Sequence, residues 1–430
     1  MMEERIDSSE ERRDCSGSTK EMLPLRVAFL TNCVAPYTLP VWRELSRSVE
    51  SLQFLFSTVM ESGREWDPGC DGLNVHIQRS LSTVVRRRRS VGFIGFSDDV
   101  PIHFPYDTLP WLRRLQPDVV ISVQLGFRTL QAVIYRLFSR RKSRLVIWAD
   151  LSEHTERETG RIRTAVRRLL LRAADAVLVN GTSGARYVLR LGVPSRRIVR
   201  APYTTNMSPF RSIPLGRAPT ISRRLLYVGR LVELKGLEIF LRALARWAET
   251  HTEQNCEMWF VGDGPIRKYL GQFPMPPTVN LRFVGNVPYA ELAQYFAQAG
   301  ILVLPTLEDT WGLVVNEALA AGLPVLGSPY SQAVNELVQD NVNGWIFQPD
   351  NSESVHDALS RVFATSSEHL SQMRSEARRS ISYLTPALVA SRFVEAIQVA
   401  MNEPRAHPTG RVAPPSVREQ SAKTRCESGE

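Results

Sequence analysis

No apolar run in this chain approaches the roughly 18 residues needed to cross a bilayer as a helix. Its first 22 residues lack the apolar core of a signal peptide. Neither a leader nor a transmembrane anchor is therefore expected, and a cytoplasmic site, free or peripheral at the inner face of the membrane, follows. Cysteine is scarce. The five thiols, Cys15, Cys33, Cys70, Cys256 and Cys426, form no C-x-x-C pair. They read as free thiols of a reducing compartment, without a disulfide framework or a zinc site. The G-x-G-x-x-G of a dinucleotide site is also missing, which speaks against a nicotinamide enzyme. Acidic residues are outnumbered, 53 Lys and Arg against 44 Asp and Glu, for a net charge of +9. Nucleic acid is the usual partner of a basic chain, but no aromatic-interleaved RNA motif, zinc finger or basic heptad region accompanies this charge, so no nucleic-acid partner is expected. The excess falls instead in three clusters of the first half, Arg86 to Arg89, Arg140 to Arg144 and Arg161 to Arg172. Each is a solvated basic face or a contact for phosphate groups.

With 430 residues the chain is long enough for two domains. Short apolar runs rich in β-branched residues alternate with amphipathic helical patterns, which is the signature of α/β architecture with parallel strands. The strand runs are LRVAFL, LQFLFS, LNVHIQ, DVVISV, RLVIWA and DAVLVN, then LLYVG, EMWFVG, LRFVG, ILVLP, LPVLGS and GWIF. In GLEIFLRALARWAET, the residues Leu237, Phe240, Leu241, Leu244 and Trp247 form one apolar stripe. A Pro- and Ser-containing stretch, residues 209–222, reads as a linker. The organisation predicted is a polar, disordered tail over 1–22, a first domain over 23–208, a second domain over 223–386, a last helix over 387–401 and a disordered tail over 403–430. Ligands of such sheets bind beyond the carboxyl ends of the strands, so two facing domains enclose a cleft.

Three segments of the second half carry the chemistry. LLYVGRLVELKGLEIF places Gly229, Arg230 and Lys235 in a strand-to-helix loop, where a guanidinium fork and an ammonium suit a diphosphate. MWFVGDGPIRKYL turns sharply at Gly262 and Gly264, by itself an ordinary βα turn. ILVLPTLEDTWGLVVNEALAAG runs from a strand through Glu308, Asp309 and Thr310 into a helix over about Gly312 to Ala321. The mouth of that helix, with the backbone N–H groups of Trp311, Gly312, Leu313 and Val314, suits a phosphate. Glu317 follows Asp309 by eight residues, a rise of about 12 Å if helical throughout, enough for one acceptor on each side of a diphosphate. The plain alternatives are helix capping for Glu308 and Asp309 and a surface position for Glu317.

These segments resemble the donor half of the retaining glycosyltransferases of family 4, which have the GT-B fold of two Rossmann-like doubly wound domains. The resemblance is sharpest over Leu225 to Asp350, and it implies that the first domain takes the acceptor and that the last helix, 387–401, returns to that domain. It implies that Arg230 and Lys235 hold the donor diphosphate and that Glu317 binds ribose hydroxyls. The acidic place that touches the transferred sugar falls on Asp309, where the family has Glu, with Glu308 beside it as the other candidate. Asn286 and Val287, after LRFVG, are implied to lie near the base. In the first half, TNCVAPYTLP replaces the family's Gly-rich loop, with Asn32, Pro36 and Tyr37 in it. VIWADLSEHTE gathers Asp150, Glu153 and His154, and the resemblance makes His154 the candidate beside the donor sugar. It further implies front-face transfer with retention, a nucleotide-diphosphate sugar as co-substrate, and neither cofactor nor metal. A sugar-nucleotide-binding partner subunit without transferase activity, and a sugar-nucleotide epimerase, are the alternatives. Arg86 to Arg89, beside Val91-Gly92-Phe93-Ile94-Gly95-Phe96, read as a basic patch with exposed aromatics, or else as a loop whose Phe93 and Phe96 are core. They suggest peripheral membrane contact and a lipid-linked or saccharide acceptor.

Overall fold

The computed structural model describes residues 22–61, 69–91, 94–139, 142–157 and 160–403. The two expected tails lie outside the described residues except for Met22 and Glu403, as do Gly92, Phe93, Arg140 and Arg141. In chain order the first half runs β1 (Leu23–Thr31), α1 (Leu39–Ser46), β2 (Val49–Phe56), β3 (Asn74–Ile77), β4 (Ser80–Val91), β5 (Ile94–Pro105) and α2 (Thr108–Leu115). It continues through β6 (Val119–Val123), α3 (Phe127–Phe138), β7 (Arg144–Trp148), α4 (Arg161–Arg172), β8 (Ala176–Val179), α5 (Thr182–Arg190) and β9 (Ile198–Arg200). The second half opens with α6 (Ser208–Arg211), β10 (Leu225–Val228), α7 (Leu237–Thr250), β11 (Cys256–Val261), α8 (Arg267–Gly271), β12 (Val279–Gly285) and α9 (Leu292–Ala297). Then come β13 (Ile301–Leu304), α10 (Leu313–Ala320), β14 (Val325–Gly327), α11 (Gln332–Leu337), β15 (Gly344–Ile346), α12 (Ser352–Ala364), α13 (Ser367–Ser380) and α14 (Pro386–Asn402).

The strands make two large sheets. One has seven strands in the order β3-β2-β1-β6-β7-β8-β9, the other six in the order β12-β11-β10-β13-β14-β15. Every pairing in both is parallel. Strand composition explains this. All five residues of β6 and all four of β8 and β13 are buried, as strands covered by helices on both faces require. The apolar stripe read in the sequence is the buried face of α7, joined by Ala243 and Ala248. The stretch read as a linker begins with the last residues of α6, whose Phe210 packs edge-on against Phe296 at 5.1 Å.

α14 follows the second sheet in the chain but packs on the first, against α1, β7, β8 and β9. Phe393 sets its ring edge against Trp148 at 5.1 Å and lies 6.0 Å from Phe29. Glu403, at its end, is held by Arg196 and Arg197, each at 2.7 Å. Burying a ring such as Phe393 contributes about 2–3 kcal/mol, so this helix ties the end of the chain to the first lobe.

One element departs from the sequence reading. Arg86 to Arg89 do not form a loop. They lie in β4, paired antiparallel with β5 along its whole length, from Ser80 opposite Pro105 to Val91 opposite Ile94. Nor is Phe96 an exposed aromatic. It is 5% exposed and clusters with Val91, Leu307 and Tyr330, the last two from the second lobe. Strand alternation leaves Arg86 and Arg88 exposed and half-buries Arg87 and Arg89. The short strand β9 is the other element without a counterpart in the sequence reading.

Candidate active site

The cleft is built where strand ends of the two lobes face each other. After β10 the chain turns at Gly229, and after β11 at Gly262, with φ of 148° and 130°. A Cβ at Gly262 would stand 2.1 Å from the carbonyl oxygen of Gly229, and the N–H of Gly262 donates to Gly285 at 2.8 Å. Only glycine lets these turns nest so closely. Gly236, φ 66°, starts α7, and a Cβ there would meet the carbonyl oxygen of Pro305 at 2.2 Å. That close approach brings the loop carrying Lys235 against the end of β13, where Glu308 and Asp309 follow.

Lys235 Nζ lies 2.5 Å from Asp309 Oδ2. Asp309 Oδ1 accepts from the N–H of Trp311 at 3.2 Å, which steers the chain into α10. Gly312 caps that helix with φ 97° and no side-chain bond; the N–H of Val315 closes back on the Gly312 carbonyl at 2.9 Å, which leaves the first amides, those of Leu313 and Val314, for another acceptor. Glu308 pairs with Arg89 of β4, so the hairpin bridges the lobes at this point. A second bridge runs from the N–H of Ser97 to Glu233 at 2.9 Å. Lys235, Glu308, Asp309 and Thr310 line a cavity of about 560 Å³, faced from the first lobe by Asn32, Asp150, Thr155 and the hairpin. That size is ordinary for a small-molecule site.

Asp150 is half-buried just after β7, on the cavity wall. It accepts from Asn180 at 2.6 Å, and Asn180 in turn accepts from the Trp148 indole at 2.6 Å. Burial pushes its carboxyl up to about 6 against these hydrogen bonds, with a further upward push from Asp309. Its sequence neighbours turn elsewhere. Glu153 is tied to Arg186 at 2.8 Å and Arg190 at 2.7 Å. His154 stacks on Tyr330 at 4.6 Å and lines a smaller adjoining pocket of about 150 Å³ behind the hairpin. Burial, then the nearby Arg157, lowers its pKa to about 4. Asn32 reaches the cavity wall bonded to the buried Arg128 and to Glu61 at 3.0 Å, while Pro36 and Tyr37 open a short 3-10 turn away from the cavity lining.

The remaining sequence candidates do not line this cavity. Arg230 is exposed. Glu317 is buried in α10 and accepts from the Tyr289 hydroxyl at 2.9 Å, and burial pushes its carboxyl up to about 7. Asn286 is exposed and Val287 half-buried at the end of β12. Trp311 is buried, its indole donating to Asn316 at 3.0 Å, and Leu313 and Val314 are half-buried in the first turn of α10.

Gln332 was not singled out in the sequence. It is 1% exposed. Its amide nitrogen donates to Thr310 at 2.6 Å and across the lobes to Leu151 at 3.0 Å, and its oxygen accepts from Gly184 at 3.0 Å. Glu336, one turn on, accepts from Thr182 at 2.6 Å. No local signal marks such a glutamine, because its partners are backbone groups far away in the chain.

The fold and cleft define the class: two facing Rossmann-like lobes of the GT-B type. The lipopolysaccharide outer core galactosyltransferase WaaB superposes with a TM-score of 0.62 at 16% identity, covering 87% of this chain and 99% of that one. HepE of Anabaena, solved in complex with UDP and glucose, gives 0.63 at 13% identity over the same shares. More particularly, residues 222–365 match the family model Glycosyl transferases group 1, and the chain carries that domain. An uncharacterized glycosyltransferase of Methanocaldococcus jannaschii is 31% identical over 145 residues, 33% of this chain and 36% of the relative. A sulfoquinovosyl transferase of Arabidopsis thaliana is 28% identical over 43% of this chain and 37% of its own length. The alpha-D-kanosaminyltransferase of Streptomyces kanamyceticus is 26% identical over 49% and 58% respectively. The matched stretches thus span a third to somewhat over half of these relatives. Among the described residues no helix is long and apolar enough to cross a membrane.

Proposed function

We propose that this protein is a glycosyltransferase that moves a hexose-type sugar from a nucleotide-diphosphate donor to an acceptor hydroxyl, with retention and without a metal, in polysaccharide or glycolipid assembly at the cytoplasmic face. One observation carries the proposal. Lys235 and Asp309 meet on the wall of one interlobe cavity, and Thr310, in the turn that leads into α10, lines it too. The chemistry asks for this. Departure of the sugar leaves charge on the β-phosphate, and an ammonium with first-turn amides stabilises it where little water is present. Arg230, exposed on the same loop, adds a second cation once a diphosphate draws it in. Asp309 is assigned to the sugar hydroxyls, since Glu308 is committed to Arg89. Glu317 exchanges its Tyr289 bond for the ribose hydroxyls. Asp150 faces the same cavity from the first lobe and is assigned to the acceptor hydroxyl, which it holds by a hydrogen bond, while His154, in the adjoining pocket, keeps its candidate place beside the donor sugar. UDP, bound in HepE, is the first nucleotide to try.

The test is a thermal-shift screen with UDP-, GDP-, ADP- and TDP-sugars, followed by donor-turnover assays. One donor stabilises the wild type, and Lys235→Ala and Glu317→Gln lose the shift. Equal shifts in the wild type and both variants would move the donor site elsewhere. Stabilisation without turnover, with any acceptor tried, would favour a binding subunit.

A further inference from the structure

α3 and α4 are consecutive crossovers, β6 to β7 and β7 to β8, so the right-handed rule places them on one face of the first sheet, and they touch each other. Both turn large apolar side chains outward. On α4, Ile162 is 84% exposed, Val166 49% and Leu169 66%, and on α3, Leu137 is 65% and Phe138 80% exposed. Ile162, Val166 and Leu169 follow at i, i+4 and i+7, one continuous stripe. Arg161, Arg168 and Arg172 flank it, all exposed, and neither helix contains an Asp or Glu. Among the described residues, the carboxylates next to this face are engaged, Glu156 with Arg167 and Asp175 with Arg136 and Arg144.

We propose that this α3–α4 face docks on an anionic lipid bilayer. Charge decides the occupant. A second copy packed on the same face would set the exposed arginines of α4 against one another. A surface of anionic headgroups over an apolar interior matches both the guanidinium rim and the stripe. The face is also continuous with the cleft, because Arg163 and Arg167 on the inner side of α4 line the cavity. Docking there brings the acceptor side of the cleft to the membrane surface, and it replaces the hairpin arginines as the membrane contact, since Arg89 and Phe96 are engaged with the second lobe.

Flotation of the full chain with phosphatidylcholine vesicles, with and without phosphatidylglycerol, tests this. The wild type floats with the anionic vesicles and not with the neutral ones. Ile162→Ser/Val166→Ser/Leu169→Ser and Arg161→Ser/Arg168→Ser/Arg172→Ser each lower the partition coefficient by at least about tenfold. Arg86→Ser and the distant surface change Tyr383→Ser leave it unaltered. All these side chains are exposed, so melting temperatures stay near wild type and report folding directly. The proposal is overturned by a wild type that stays with lipid-free protein, by equal binding to neutral vesicles, or by an apolar-stripe variant that floats normally. A concentration-dependent dimer abolished by the stripe substitutions overturns it too, in favour of self-association.

Discussion

Burial holds the Glu317 carboxyl near 7 and the Asp150 carboxyl near 6. In the unfolded chain both titrate near 4. Between those limits the folded protein binds more protons than the unfolded one, so each group makes the unliganded protein less stable as pH rises through its window. His154, lowered to about 4, acts in the opposite sense between about 4 and 6.5. The variant comparison separates them. Glu317→Gln stabilises the ligand-free protein more at pH 7.5 than at pH 5, by on the order of 2–3 kcal/mol at most, which melting temperatures at the two pH values report. A difference between variant and wild type that is flat with pH would mean that Glu317 is not held protonated by its surroundings. At Asp309 the partner matters more than burial. Asp309→Asn frees Lys235 and still presents a hydrogen-bonding side chain, so nucleotide diphosphate alone binds at least as tightly while sugar turnover falls by about tenfold or more. Equilibrium titration with UDP beside kcat/KM for the donor checks both halves.

At the scale of elements, close backbone approaches govern the site. Gly236→Ala places a methyl group 2.2 Å from the Pro305 carbonyl oxygen on a residue with φ 66°, and costs about 2 kcal/mol or more, read as a lowered melting temperature together with weaker donor binding. The hairpin depends on one small cluster. Phe96→Ala empties the contact with Val91, Leu307 and Tyr330 and releases β4 and β5, which hydrogen exchange will show as faster exchange confined to Ser80–Pro105. Legibility followed the same division. The parallel strands and α7 stand out in the sequence because burial on both faces or along one stripe imposes an apolar pattern. β4 and β5 do not, because only their tip is buried against the other lobe and four successive arginines mask the period-2 alternation of that tip. The loops with Lys235, Asp309 and Gly262 were readable as glycine and charge at strand ends. The distinction between Asp150 and His154 was not. They follow β7 by two and six residues, and only the path of the chain after Trp148 decides which cavity each one lines.

On the scale of the whole molecule, the two lobes are joined by α14 behind the cleft, by the hairpin at one rim and by Gln332 within it. Phe393→Ala removes a ring that meets Trp148 and Phe29 and costs about 3–5 kcal/mol. The unfolding transition of the first lobe will shift more than that of the second, as tryptophan fluorescence and domain-resolved proteolysis together report. Gln332 has a subtler effect. Its one amide group holds the carbonyl of Thr310 beside the donor loop and the carbonyl of Leu151 in the opposite lobe. Parting the lobes strips the loop of its restraint at the same moment, so loop order and lobe closure share a single equilibrium. A ligand that needs the ordered loop is then bound with an apparent affinity scaled by the fraction of molecules that are shut. Substitutions far from any nucleotide, at Gln332, Glu336 or the start of α5, will weaken the hold on the nucleotide by changing that fraction alone.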